Sequence, residues 1–290
     1  MNSSNKLRFS DVLIMIFIGL ASLICIMPMI HLLALSFSSN GAIMAGKVTL
    51  LPIEANLMAY KAVFQHSAMV RSLIFTIGMV TLFTVVAMIM TIIAAYPLTK
   101  PNLKGRNFFL ILIVLTMFFS GGLIPDFLLM RNLHLLDSIW VLVLPGSISA
   151  FYLIILKTFF SSIPIELEES ARMDGASHFR VLWNLYLPLS LPSLATISLF
   201  YAVGRWNGFQ DALIYITDQN LYPIQLKLYA LVISGQGNDM AIMEAQSAGA
   251  PVPQSLKAAA IMFGTLPILI VYPFLQRYFI SGIMVGAVKG

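Results

Sequence analysis

Six long runs of this sequence carry almost no charge, and that feature limits what the chain can become more than any other. They cover roughly residues 12–37, 73–98, 107–124, 138–160, 187–206 and 256–276. About 20 predominantly apolar residues suffice to cross the hydrocarbon core of a bilayer as a helix. A charge at a span centre costs about 2.5–3.5 kcal/mol on insertion scales, and no Asp or Glu stands at one. Lys157, Arg205 and Lys257 fall near span ends, where long side chains reach the headgroups. Only 10% of the 290 residues are charged and 59% are hydrophobic, whereas soluble domains carry about 25% charged residues. Too little polar surface is left to face water, so the sequence reads as an all-α integral membrane protein with six transmembrane helices.

The first run is too long for a signal peptide and lacks a small-residue cleavage site at a suitable distance, so it reads as a retained helix. The single cysteine, Cys25, lies inside this run and reads as a small apolar residue, with no disulfide possible within the chain. With the N-terminus inside, Lys6, Arg8, Lys100, Lys104, Arg106, Lys157, Arg172, Arg180, Arg277 and Lys289 are cytoplasmic. The external bases are matched one for one by acids, so the whole net charge of +5 falls on the cytoplasmic side. The tight basic turn at 100–106 is the clearest sign of this positive-inside pattern, which places both termini in the cytoplasm. The basic pI therefore reports topology and gives no reason to expect nucleic acid. On the same reading Asn2-Ser3-Ser4, a glycosylation pattern, lies on the wrong side to be used.

Only one cytoplasmic segment is large, residues 161–186. Pro164 suits a first helical turn, and Glu166, Glu168 and Glu169 follow where the helix dipole favours carboxylates. Asp174-Gly175 reads as a stop and turn, with Asp174 capping the helix that follows. Phe179, Leu182, Trp183 and Tyr186 then recur at i, i+3, i+4, i+7, an amphipathic helical stripe. Pro188 and Pro192 mark the return to the membrane. Physics alone leaves two readings open for this segment, a knob that docks into a soluble partner and an ordinary interfacial helix.

The segment resembles the signature cytoplasmic loop of ABC-importer permeases, whose pattern is Glu-Ala-Ala, three residues, Gly, nine residues, Ile, one residue, Leu-Pro. Here it reads Glu169-Ser170-Ala171, Gly175, then Leu185-Tyr186-Leu187-Pro188, with Ser170 and Leu185 as mild departures. Ala95-Tyr96-Pro97-Leu98 before Lys104-Gly105-Arg106, Trp206-Asn207, and the ending 282–290 resemble carbohydrate-uptake permeases. The ending is similar to that of the second, six-span permease of maltose-type importers. Phe119–Ile124 followed by Pro125 resembles a branch handling complex plant or algal oligosaccharides.

The resemblance implies a cytoplasmic N-terminus at 1–11 and an importer membrane domain at 12–290, with a coupling segment at 161–186 and an external loop at 207–255. It implies a second permease subunit, two ATPase subunits that carry ATP and Mg²⁺, an extracytoplasmic solute-binding protein and an oligosaccharide substrate. It places the chain in a bacterial cytoplasmic membrane, bathed in lipid. It implies that Glu169, Ser170, Ala171, Asp174, Gly175, Leu185 and Pro188 couple to an ATPase, with Glu169 paired to a base there. It also implies that the tail with Gly286, Lys289 and Gly290 reaches between the ATPases. Tyr152, Tyr201, Trp206 and Asn207 are candidates for the substrate path, because sugars favour aromatic faces and amide donors. The outer stretch 218–250 is a candidate contact for the binding protein.

Rival readings have less in the sequence to support them. A secondary transporter calls for an intramembrane acid or His. An intramembrane enzyme calls for a catalytic pair or a His-Glu-x-x-His motif. The histidines His31, His66, His134 and His178 have no metal-ligand spacing, so no metal is expected. Residues 41–47 fit a P-loop up to Lys47, but Val48 stands where Ser or Thr would hold Mg²⁺. A permease for a non-sugar solute would share the cytoplasmic motif.

Overall fold

A computed structural model describes the backbone of residues 9–234 and 250–287, and side chains over 11–233 and 250–273. Every regular element among the described residues is helical. The chain forms two compact units, one of residues 1–70 with 228–266 and one of residues 71–227 with 267–290.

The first unit opens with helix α1 (Phe9–Phe37), whose apolar side chains from Val12 to Met27 are largely uncovered. Such a surface calls for lipid or a partner helix around it. Burial begins at its C-terminal end, where Ala34, Ser36 and Ser38 face inward. The serines stay satisfied: Ser38 Oγ donates to Ala34 O at 2.7 Å, and Ser36 Oγ meets Tyr60 Oη at 2.9 Å. Short helices α2 (Asn40–Met44), which takes up the P-loop-like stretch, and α3 (Met58–Gln65) follow. The Asn40 side chain joins the chain near Ala250 and Val252 at 2.7 and 3.1 Å.

In the second unit the long helix α4 (Ser67–Ala95) contributes Phe83, Ala87 and Ala95 to the core and ends in a 3₁₀ turn at Pro97–Thr99. Helices α5 (Arg106–Leu115), α6 (Leu123–Asn132), α7 (Ile139–Val143) and α8 (Ala150–Phe160) follow. Then come α9 (Ile165–Met173), α10 (His178–Val181), a π turn at Leu182–Tyr186, and α11 (Leu187–Leu189). The described chain continues through α12 (Leu191–Asn207), α13 (Gln210–Tyr215) and α14 (Ile224–Ser234) to α15 (Pro253–Ala287). Leu153, Leu156 and Phe160 of α8 and Ile197 and Tyr201 of α12 complete the same core.

Among the described residues, three helical segments are long and apolar enough to cross a bilayer singly: Asp11–Phe37, Ser67–Thr99 and Pro253–Pro273. Counting each bent helix pair as one span raises this to five. The expected runs at 107–124, 138–160 and 187–206 are not continuous helices. The first stops at Leu115, and Gly122, at φ +86°, turns the chain into α6. The second breaks between Val143 and Ala150 around Pro145-Gly146, with Gly146 at φ +77°. The third breaks at Ser190 between Pro188 and Pro192, bending the chain by 82°. Apolar content set the expected lengths in all three. Local Gly and Pro conformation overrides it, because Pro removes a helical N–H and glycine accepts a left-handed backbone.

Candidate functional site

The segment at 161–186 folds into an elbow. Pro164, extended at ψ 131°, stands just before α9, one position earlier than a first-turn proline. The helix ends in a Schellman motif: Ala176 N donates to Ala171 O at 3.0 Å and Gly175 N to Arg172 O at 2.9 Å, with Gly175 at φ +80°. Asp174 is the C-cap of α9. It does not cap the next helix, because Ser177 takes that place and its hydroxyl accepts from Arg180 N. Pro188 has no N–H to donate to Asn184, and the backbone answers with the π turn just before it, closed by Leu187 N to Leu182 O. The widened turn divides the expected stripe: Leu182 and Tyr186 are buried, whereas Phe179 and Trp183 face outward, 73% and 63% exposed. These two rings stack 6.3 Å apart.

The elbow is pinned to the unit by Glu168, whose side chain is 8% exposed. Its carboxylate receives Lys100 Nζ at 2.5 Å, Tyr186 Oη at 2.7 Å and, on the other oxygen, Arg172 Nε at 3.3 Å. Lys100 Nζ also lies 4.2 Å from the Tyr96 ring centroid and 4.6 Å from that of Tyr186. Burial pushes the Glu168 carboxyl upward, but the bonds from Lys100 and Tyr186 and the charges of Lys100 and Arg172 outweigh it, leaving the group below its ordinary range. For Lys100 the order reverses, since burial lowers the ammonium by more than its bond and attraction to Glu168 raise it. The attraction is common to both partners; Glu168 gains further support from Tyr186 and Arg172, whereas the Arg172 charge adds to the lowering of Lys100.

A second locus lies where the 138–160 run breaks. A cavity of about 350 Å³ is lined by Phe83, Pro145, Gly146, Ser149, Tyr152, Phe200, Tyr201, Gly204, Arg205 and Asp211. Ser149 caps α8 through its hydroxyl, and its own N–H donates to Tyr201 Oη at 3.0 Å. Tyr201 Oη also meets Thr91 Oγ1 at 2.8 Å. Tyr152 stacks on Phe200 with ring centroids 5.7 Å apart and meets Tyr201 edge-on at 4.7 Å. Arg205 does not reach for a headgroup. Its side chain is 8% exposed and its Nη1 donates to Asp211 Oδ2 at 2.5 Å.

Residues 103–285 match the family described as binding-protein-dependent transport system inner membrane component. The chain belongs to this family. It is 42% identical over 285 residues, 98% of this chain and all of the relative, to the polygalacturonan/rhamnogalacturonan transport system permease protein YtcP of Bacillus subtilis. It is 27% identical over 272 residues, 92% of each chain, to the arabinooligosaccharides transport system permease protein AraQ of Halalkalibacterium halodurans. A chain in the crystal structure of a bacterial ABC transporter involved in import of the acidic polysaccharide alginate superposes with a TM-score of 0.89. That chain is 33% identical, and the match covers 96% of this chain and 99% of it.

The elbow brings the sequence-derived residues of this permease into one motif, with different duties from those expected. Glu169 and Ser170 are exposed, and Glu169 has no hydrogen bond or ion pair among the described residues. Ala171 and Leu185 pack half-buried on the core, and Pro188 is exposed. Glu168 and Lys100, which hold the motif, were not among the residues expected to act. The i,i+4 spacing of Glu168 and Arg172 was visible, but nothing local pairs either with a lysine in the preceding loop. Of the path candidates, Tyr152 and Tyr201 line the cavity. Trp206 is buried, with an Nε1 that has no partner among the described residues, and Asn207 is exposed. In the tail, Gly286 falls within the backbone of α15, and Lys289 and Gly290 lie outside the described residues. Much of the outer stretch 218–250 also lies outside them.

Proposed function

We propose that this permease is one of two membrane subunits of an ATP-driven importer that moves an oligosaccharide into the cell. In this reading the chain crosses the membrane six times with both termini inside. A solute-binding protein delivers the sugar from outside, and two separate ATPase subunits hold ATP and Mg²⁺. The sugar assignment draws on similar proteins described as serving polygalacturonan/rhamnogalacturonan transport, arabinooligosaccharides transport and alginate import.

The observation that carries the reading is the elbow at 165–183. It is rigidly fixed at its base by the buried Glu168 and leaves Met173, Phe179 and Trp183 uncovered, Met173 at 89%. Large apolar side chains grouped on a water-facing turn call for a protein partner. A cleft on an ATPase subunit would take these side chains, with Glu169 free to meet a base there. Because Lys100 ties α9 to the end of α4, and Pro188 leads from the elbow toward α12, a shift of the docked elbow moves both helices. Closure of the ATPases around ATP would thus reach the substrate cavity through packed elements.

Purification of the tagged chain in mild detergent tests this, with mass spectrometry and an ATPase assay. An ATPase and a second permease should co-purify, with hydrolysis raised by a binding protein and an oligosaccharide. Recovery of the chain alone, under conditions that keep such complexes intact, would contradict the reading.

A further inference from the structure

Arg205 is the feature the coupling mechanism leaves unused. A guanidinium stays charged at any physiological pH, so a buried one must always be met by a counter-charge. Here that counter-charge is unequally placed. The Arg205 side chain is 8% exposed and that of Asp211 is 44% exposed, so Asp211 can exchange its partner for water at far lower cost than Arg205 can. The guanidinium is also incompletely used. Nη1 serves Asp211, and Nε points at Met79 Sδ at 3.3 Å, a weak acceptor. Its other N–H groups have no hydrogen-bond partner among the described residues.

The walls favour a ring. Arg205 Cζ lies 5.4 Å from the Phe83 centroid, which holds the fork in place, and Tyr152 and Tyr201 line the same space. The opening exists because Pro145-Gly146 interrupts the helix there. Broken helices facing a cavity are where membrane proteins place polar recognition. At about 350 Å³ the cavity is near the lower end of ligand pockets, about 300–1,000 Å³, so it holds a short part of an oligomer.

We propose that Arg205 forms a subsite for the carboxylate of an acidic sugar residue, with Asp211 as the counter-ion that yields when the sugar binds. The inference rests on the importer reading above and names its substrate class. Planar forked donors match a carboxylate, and a neutral sugar would leave the Arg205–Asp211 pair closed.

The test uses proteoliposomes holding this permease with its co-purifying permease and ATPases, supplied with the binding protein. Uptake of trigalacturonate is compared with that of its fully methyl-esterified form. The change between variants is the readout, because the binding protein contributes equally to all of them. The double variant Arg205→Gln/Asp211→Asn removes both charges and strands neither. It should lower kcat/KM for trigalacturonate at least about tenfold relative to the ester, as loss of charge-assisted hydrogen bonds implies. Asp211→Asn alone should raise that ratio several-fold, because the competing carboxylate is gone; a purely structural pair would not do this. A ratio unchanged in both variants overturns the subsite. Uptake of neutral maltotriose but of neither galacturonate form overturns it too, and leaves the importer standing. Failure to import any of the three overturns the subsite, while the importer reading stands or falls separately on whether an ATPase and a second permease co-purify.

Discussion

Glu168 and Lys100 are separated by 68 positions in the chain, yet their side chains meet at 2.5 Å at the base of the elbow. The contact joins the segment at 161–186 to the loop that follows α4. It gives that loop a structural task in holding α9.

Breaking this contact from one side should be costly. Removing one partner of a buried ion pair costs about 3–5 kcal/mol. Lys100 retains some access to water, so Glu168→Gln should fall toward the lower end of that range. Thermal unfolding in detergent measures it. ATP-dependent uptake should fall as well, and the double variant Lys100→Met/Glu168→Gln should recover part of the lost stability, because no charge is then stranded.

The pair also sets a pH dependence. The Glu168 carboxyl is held below its ordinary value of about 4.5, so the folded state binds its proton less readily than the unfolded chain. The stabilisation is present in full above about pH 4.5 and is lost as pH falls through the lower folded value. Unfolding scans from pH 7 to pH 3 should show wild type and Glu168→Gln converging only at the acid end. A constant gap across that range would contradict the assignment.

Gly175 sits at φ +80°, and a Cβ placed there meets nothing within 4 Å. Its need for glycine is therefore conformational, and Gly175→Ala should cost about 1–2 kcal/mol, the left-handed penalty. Gly175→Leu should insert normally yet transport poorly, through obstruction of a docked partner. Membrane fractionation beside an uptake assay separates the two effects, and normal transport by the Leu variant would remove the docking role.

The caps can be told apart. Ser177→Ala removes a side-chain acceptor from the start of α10 and should cost about 1 kcal/mol. Asp174→Ala should leave that helix unchanged. Comparing the two unfolding midpoints checks which residue does the capping.

The elbow was legible because its signals are local: acids after Pro164, a glycine at the turn, prolines at the return. The split of the stripe at Phe179, Leu182, Trp183 and Tyr186 was not, because a helical period assumes no π turn, and Pro188 imposes one. Span lengths misled for a related reason. Apolar content across 138–160 is continuous, whereas Pro145-Gly146 breaks the backbone, and the cavity depends on that break. Arg205 was read by its position near a run's end, and the carboxylate that keeps it buried comes from the next helix. The buried partner of Glu168 was hidden by sequence distance alone.

Met173, 89% exposed at the tip of α9, offers the most direct probe of docking. In a Cys25→Ser background, Met173→Cys carrying a photo-crosslinker should link to an ATPase subunit in native membranes, and the yield should change when ATP is added. A tip that links to no ATPase, while remaining equally open to a water-soluble maleimide with and without ATP, would show that the elbow is not the coupling surface.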